Sequence, residues 1–477
     1  MSQLYVVVLA VIVAVLLGVA IYRTSLVKTK ADYLVAGRSL PALVLVLTLL
    51  TSWIGAGSLF AGAENAYRNG FAALWLPAGG WVGLLLIYFI APRARKFAQF
   101  TLPDLLEARY NQTARVLGTI AILFAYVGIT SYQFKGGGNV LHLIFPDEVT
   151  PKLGTFIIAA FVIFTTALAG MSSVAYMDVA IGSLVTVICV ISAPMLLVKA
   201  GGWAGLHAVL PPTHFQVLGN LTFARAMEFM LPTMLLMLGN QVMYQKFFSA
   251  KSEKDARVSV IGWILGTILL ETLIVAIAVF GSALYSTGEV AQQPYEIIPY
   301  TARHGLPALM GALLLGAVFA KVISTASNYL FSPATNLIND VFVRYIAPDA
   351  SNKRVLIVSR LAVVLLGCWA LYQAIYAPSI LEKMLWAYTI YSAALTPVVL
   401  AAFYSKRVTA WGAVAAIAGG TVVTLAWDLQ WVKDHLPPVM AQRDAIFPAL
   451  AVSVIAMIVV SLLTPRPAPE QLAQFAD

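Results

Sequence analysis

The sequence predicts an all-α polytopic membrane protein of about thirteen transmembrane helices, and three observations predict it. Sixty per cent of its 477 residues are hydrophobic and only 11% are charged, with a mean hydropathy of +0.86. Soluble globular proteins carry roughly 25% charged residues. The apolar residues gather into runs near the ~20 residues that cross a bilayer as a helix. Two of those runs are interrupted in mid-span by glycine, proline and polar residues.

In chain order, the runs lie near 4–22, 42–67, 72–92, 116–145, 153–170, 178–198, 226–248, 258–284, 307–332, 355–377, 383–404, 409–431 and 446–463. The first has no basic segment before it and no small-residue cleavage site after it, so it reads as a retained span and not a signal peptide. Placing the N-terminus outside puts roughly 18 Lys and Arg in cytoplasmic loops, among them Lys28, Lys30, Arg93, Arg95, Lys251 and Arg354, against roughly 7 outside. An odd number of spans then leaves the C-terminus cytoplasmic. The net charge of +9 is thereby read as topology, because the cations are scattered through short loops and form no basic run with interleaved aromatics. The length would suit about three soluble domains, but no long polar linker divides the chain, which reads as one unit over 1–477.

Enzyme chemistry finds no support. His142, His207, His214, His304 and His435 are scattered without metal-ligand spacing, and Cys189 and Cys368 both fall in apolar runs. There is no Gly-x-Ser-x-Gly and no phosphate-binding glycine loop. No cofactor is expected.

The interruptions point elsewhere. The second run contains Thr51-Ser-Trp-Ile-Gly-Ala-Gly-Ser58, and the seventh contains Pro232 and Gly239-Asn240-Gln241. The two runs are five apart. Broken helices at corresponding places in two halves are the sequence signature of an inverted-repeat transporter, in which freed backbone carbonyls hold a cation. A third stretch, Ala320-Lys-Val-Ile-Ser-Thr-Ala-Ser-Asn328, crowds hydroxyls around a lysine. Lys321, Ser324 and Thr325 are spaced i, i+3, i+4 and share one helical face. In a membrane such a cluster is costly unless it lines a polar cavity.

Asp32-Tyr-Leu-Val-Ala-Gly-Arg-Ser-Leu40, the Gly-rich stretch from Ser58 to Tyr67-Arg-Asn-Gly70, Val174-Ala-Tyr-Met-Asp178, Asn240 to Ala256 and Ser324 to Asn336 together resemble the sodium:solute symporter family, which includes proline, pantothenate and sugar symporters and the high-affinity choline transporter. The resemblance covers nearly the whole chain. It implies a LeuT-like core of two inverted five-helix repeats, 42–200 and 201–408, preceded by an extra helix and loop (1–41) and followed by two helices and a tail (409–477). It places the main sodium site on the carbonyls of Thr51 and Ile54, the carbonyl of Lys321 and the hydroxyls of Ser324 and Thr325. A second ion site, found in some members, falls on Asp178, Ser327 and Asn328.

Several residues depart from the family pattern. Lys321 stands where relatives carry a small residue. An ammonium 4 Å from a sodium ion opposes it by about 4 kcal/mol at an effective dielectric of 20. Lys321 either stands in for sodium, permanently charged or by loading and releasing a proton, or its stem snorkels away and leaves the site alone. Ile181 replaces a frequent glutamine, and Asp178 is explained equally by an ion site or by helix N-terminus placement. Lys135, in Gln133-Phe-Lys-Gly-Gly-Gly138, suggests an anionic substrate group such as a carboxylate, or pairs with Glu64. Trp53, Ser58, Tyr132, Gln133, Thr233, Asn240 and Gln241 complete the candidate substrate pocket.

The expectation is a multi-pass cell-membrane transporter that imports a small polar solute, carboxylate-bearing by preference. Lys321 favours proton-coupled or sodium-independent transport over ordinary sodium symport. A transporter-like nutrient sensor is the rival class, and a channel a further one. A monomer is expected, with an oligomer left open.

Overall fold

The computed structural model describes residues 3–24, 32, 35–97, 101–287, 289–376, 379–469 and 472. Lys28 and Lys30 of the first loop, and Tyr33 and Leu34 of the Asp32–Leu40 motif, lie outside the described residues. The described chain is almost wholly helical. Ten helical stretches are long and apolar enough to cross a membrane. Of the other expected spans, the first forms the unbroken 22-residue helix Gln3–Thr24, and the two interrupted ones begin with the shorter helices Ala42–Trp53 and Phe223–Gly239.

The principal elements are α1 (Gln3–Thr24), α2 (Ala42–Trp53), α3 (Ala63–Asn69), α4 (Trp75–Phe97), α5 (Leu102–Arg109), α6 (Gln112–Ile144), α7 (Pro151–Lys199), α8 (Phe223–Gly239), α9 (Gln241–Phe248), α10 (Glu253–Leu284), α11 (Ala308–Asn336), α12 (Asn352–Tyr376), α13 (Ile380–Ala394), α14 (Thr396–Tyr404), α15 (Ala410–Trp427) and α16 (Ile446–Leu463). α7 holds two successive spans, Pro151–Leu168 and Val174–Lys199. α11 is the central post, buried along its length from Gly311 to Asn336 and packed on α6, α7 and α1. α15 and α16 pair with each other and lean on α13.

Both interruptions are real breaks. α2 stops at Trp53 because Ile54 is extended (φ −78°, ψ 119°), and the chain re-enters helix through a π-helical turn, Gly57–Gly62. α8 stops at Gly239 because Asn240 is extended (φ −63°, ψ 113°). Asn240 then caps α9, its Oδ1 accepting from Val242 N at 2.9 Å. Lipid offers no hydrogen bonds, so every backbone group freed at a break needs a protein partner. At the second break the Tyr391 hydroxyl accepts Gln241 N–H at 2.9 Å and donates to Gly239 O at 2.7 Å. Tyr244 donates to the freed Leu238 O at 3.0 Å; within α8, Ser392 donates to Pro232 O at 2.7 Å and Thr396 to Leu235 O at 2.6 Å.

The entrance to the first broken helix is fastened to the exit from the second. Leu40 N donates to Ser249 O at 3.1 Å and Lys251 N to Leu40 O at 2.9 Å. Ala42 N donates to Asp255 Oδ1 at 3.1 Å, and Arg95 Nε to Ala250 O at 2.7 Å. Two motifs more than 200 residues apart thus form one joint.

Replacing Tyr391 by phenylalanine strips both sides of the second break of their partner. The expected cost is about 1–3 kcal/mol, read as a lower unfolding temperature in detergent; an unchanged temperature contradicts this role.

Candidate functional site

Two polar centres are built around the first break. The first lies where α2, α11 and α7 meet. Thr325 Oγ1 contacts Thr51 O at 3.2 Å and Ile54 O at 2.9 Å, so these three of the oxygens expected at the main ion site do converge. Lys321, wholly buried, donates from Nζ to Leu50 O at 3.2 Å. Its ammonium sits on the carbonyl one residue before Thr51 and does not snorkel away. On the other side of the break, Gln133 Oε1 accepts Ala56 N–H at 2.7 Å. A Cβ on Gly55 would lie 2.7 Å from Thr325 Oγ1 and 2.8 Å from the Gln133 amide, so only glycine admits both partners at that point.

Ser324, the other hydroxyl expected there, is engaged elsewhere in this structure. Its hydroxyl donates to Asp178 Oδ1 and not toward the Thr51 and Ile54 carbonyls. The placement of Asp178 is corrected: it lies inside α7, fully buried, and not at a helix start. It gathers Thr48 Oγ1, Ser324 Oγ and the Asn328 amide. Lys246 Nζ reaches Asp178 Oδ2 at 3.2 Å, Thr48 O at 2.9 Å and Thr48 Oγ1 at 2.7 Å, and also contacts Ser52. Of the proposed second ion site, Asp178 and Asn328 meet, whereas the buried Ser327 hydroxyl has no hydrogen-bond partner. The sequence reading passed over Lys246 as a site residue, although a lysine close to a break was a usable signal. One carboxylate therefore faces one direct lysine partner, with a second lysine nearby on α11.

The second centre is a narrow cleft beside the break, nearly closed in this structure, with about 20 Å³ of space open to water. Of the expected pocket residues, Trp53, Ser58 and Thr233 line it, joined by Glu271, Met384 and Tyr388. Glu271 is 4% exposed and accepts from Trp53 Nε1 and Ser58 Oγ, both at 3.1 Å. The Trp53 and Tyr388 rings stack at 6.1 Å. Tyr132 stands behind this wall, its hydroxyl 3.5 Å from where a Gly57 Cβ would lie. Glu271 was missed, yet an acid inside the apolar run 258–284 is the kind of residue that marks function in a membrane.

Asn240 and Gln241 do not line the cleft. Asn240 joins the hydroxyls of Tyr126 and Tyr329, each at 2.8 Å. Gln241 binds Leu102 N at 3.1 Å, Ser332 Oγ at 2.9 Å and Asn336. Glu64 pairs with Arg68 one turn on, at 3.0 Å. Lys135 is half-buried on α6 and is not among the cleft-lining residues. The glycines that follow it serve close packing: a Cβ on Gly136 would lie 2.8 Å from Ala56 Cβ, and one on Gly138 2.5 Å from Thr155 N.

A third cluster was not foreseen. Arg115 binds Asp340 at 2.6 Å, Asp104 at 2.7 Å and Glu107, while Arg344 binds Glu107 at 2.6 Å. It ties α5 and α6 to the π-helical continuation of α11. Burial pushes the Glu107 carboxyl up, but Arg115 and Arg344 outweigh that and hold it below its ordinary value.

Two helices broken in mid-span, one of them beside buried polar centres, fit a secondary solute transporter. A sequence profile of the sodium:solute symporter family matches residues 33–420, and the chain belongs to that family. It is 27% identical over 460 residues to a sodium/proline symporter of Staphylococcus aureus, covering 92% of this chain and 88% of that one. Among solved structures it is similar to a Na+-coupled sialic acid symporter, with a TM-score of 0.81, 18% identity and coverage of 97% and 98% of the two chains. MhsT in complex with L-phenylalanine matches with a TM-score of 0.53, 15% identity and coverage of 88% and 98%. These likenesses establish the LeuT-type fold with its five-plus-five core.

Asp178→Asn is expected to leave the Lys246 ammonium buried without a counter-charge and to cost about 3–5 kcal/mol. Adding Lys246→Met should recover most of the loss in thermal unfolding. Additive losses in the double variant would contradict a coupled pair.

Proposed function

We propose that this protein imports a small polar organic solute by alternating access, the repeats 42–200 and 201–408 moving against each other, and that Lys321 takes over the electrostatic role of sodium at the main ion site. The observation that carries the reading is the Lys321 ammonium on Leu50 O, beside the junction where Thr325 meets Thr51 and Ile54. In a sodium symporter the ion would hold α2 and α11 in register. Here a fixed cation does so from α11 itself, and Ser324 is diverted to Asp178. Uptake is then proton-coupled or independent of sodium, with the protein oriented N-terminus outside and C-terminus inside.

Ordinary sodium symport is the second reading. Two observations favour it: three oxygens still converge at the site, and similar proteins are named sodium/proline symporters. The expectation of a carboxylate-bearing solute rested on Lys135. The cleft lining offers a carboxylate and aromatic faces instead, which supports a solute carrying positive charge, alone or as a zwitterion.

The test is solute accumulation in proteoliposomes under a sodium gradient, a proton gradient or neither. Wild-type accumulation should ignore sodium. Lys321→Ala should lose accumulation by about tenfold or more, equivalent to some 1.4 kcal/mol of coupling, or acquire sodium dependence. Steep sodium dependence in the wild type that the substitution leaves untouched would end the lysine reading.

A further inference from the structure

We propose that Glu271 is the charge-recognition group of the solute site and that the transported solute presents a cationic nitrogen, as an ammonium or a quaternary amine. This rests on reading the cleft beside the first break as the solute site.

The two oxygens of Glu271 are in different circumstances. Oε1 accepts from Trp53 Nε1 and Ser58 Oγ, two donors on the broken helix itself. Oε2, on a side chain that lines the cleft, is buried and makes no hydrogen bond of good geometry; the Trp81 indole N–H faces the same carboxyl and is likewise without a partner of good geometry. A buried carboxylate oxygen left without a donor is costly. It is the arrangement expected of a group whose partner arrives with the ligand. The donors on Oε1 fix the carboxylate so that Oε2 is presented without reorganisation.

The surroundings select the partner's charge. None of the described lining residues is a lysine, arginine or histidine; the nearby cation is Lys321, which acts on Glu271 from α11 without lining the cleft. The stacked rings of Trp53 and Tyr388 offer π-faces, and aromatic faces attract ammonium groups, most strongly where water is excluded. An anion would meet a carboxylate and the negative faces of two rings. A neutral solute would leave Oε2 unsatisfied. The remaining walls include Met384 and Thr233, and the cleft has to widen before a compact apolar body around the charged nitrogen can enter it.

The bland alternative is that Glu271 is only a clasp for Trp53 and Ser58. Glu271→Gln separates the two, because the amide keeps an acceptor oxygen and the side-chain volume while removing the charge. The full chain is purified and reconstituted, and four probes are compared by thermal shift and by counterflow: choline, L-proline, the uncharged choline isostere 3,3-dimethyl-1-butanol, and lactate. The expected result is stabilisation and counterflow by at least one of the two nitrogen cations in the wild type. Glu271→Gln should weaken that probe's apparent affinity by roughly 30-fold or more, the loss that follows removal of one partner from a buried charge pair, with Glu271→Asp restoring part of it. Should the glutamine variant fail to fold, the wild type's preference for choline over its uncharged isostere still decides, since shape is matched and only charge differs. The assignment is overturned if the wild type responds only to lactate or the alcohol, or if Glu271→Gln binds the cation as tightly; counterflow of those other solutes would leave the transporter reading intact. No counterflow with any probe would count against both.

Discussion

A helix interrupted inside a membrane exposes amides and carbonyls that lipid cannot hydrogen-bond. Much of the interior of this protein answers that demand. At the first break, Thr325 spans the carbonyls of Thr51 and Ile54, Lys321 sits on Leu50 O and Gln133 takes Ala56 N–H. At the second, Tyr391 from α13 and Tyr244 from α9 do the same, while Ser392 and Thr396 tie α13 and the start of α14 to the body of α8. The partners come from other helices, so the breaks are stable only while α2 stays docked on α11 and α6, and α8 on α13.

The chemistry of the first break follows from one lysine. Three oxygens converge there, as a sodium site requires, yet an ammonium is placed within hydrogen-bond reach of the adjoining carbonyl. Nearby, Asp178 is shared among Thr48, Ser324, Asn328 and Lys246. Two buried lysines around a single carboxylate leave little electrostatic room for a further cation. The cleft at Glu271 is the opposite case: a buried carboxyl held by Trp53 and Ser58, with no basic group among the described residues of its lining. The positive and negative centres lie on either side of Ile54 to Ser58, so charge at each is felt through the same few residues of unwound backbone.

Much of this was legible in the chain. Spans are written locally, as apolar runs of bilayer length, and Gly55, Gly57 and Gly239-Asn240 announced where two of them fail. The face shared by Lys321 and Thr325 was readable from helical spacing, and the family resemblance supplied Thr51 and Ile54 as their partners. What was not legible depends on contacts across the sequence. Ser324 and Thr325 are adjacent hydroxyls on one helix, and nothing in their spacing says that one turns to Asp178 and the other to the break. Asn240 and Gln241 looked like pocket residues because polar side chains cluster at breaks, but they satisfy neighbouring hydroxyls, amides and backbone. Lys246 and Glu271 were visible as charges inside or beside apolar runs and were passed over; their partners, Asp178 and Trp53, lie 68 and 218 residues away.

The central question is whether a fixed ammonium occupies the electrostatic place of a sodium ion. Equilibrium binding of radioactive sodium to the purified protein addresses this without any knowledge of the solute. The account predicts no saturable binding to the wild type in the millimolar range, and its appearance in Lys321→Ala, where the oxygens of Thr51, Ile54 and Thr325 remain. Saturable binding to the wild type that Lys321→Ala leaves unchanged would contradict it.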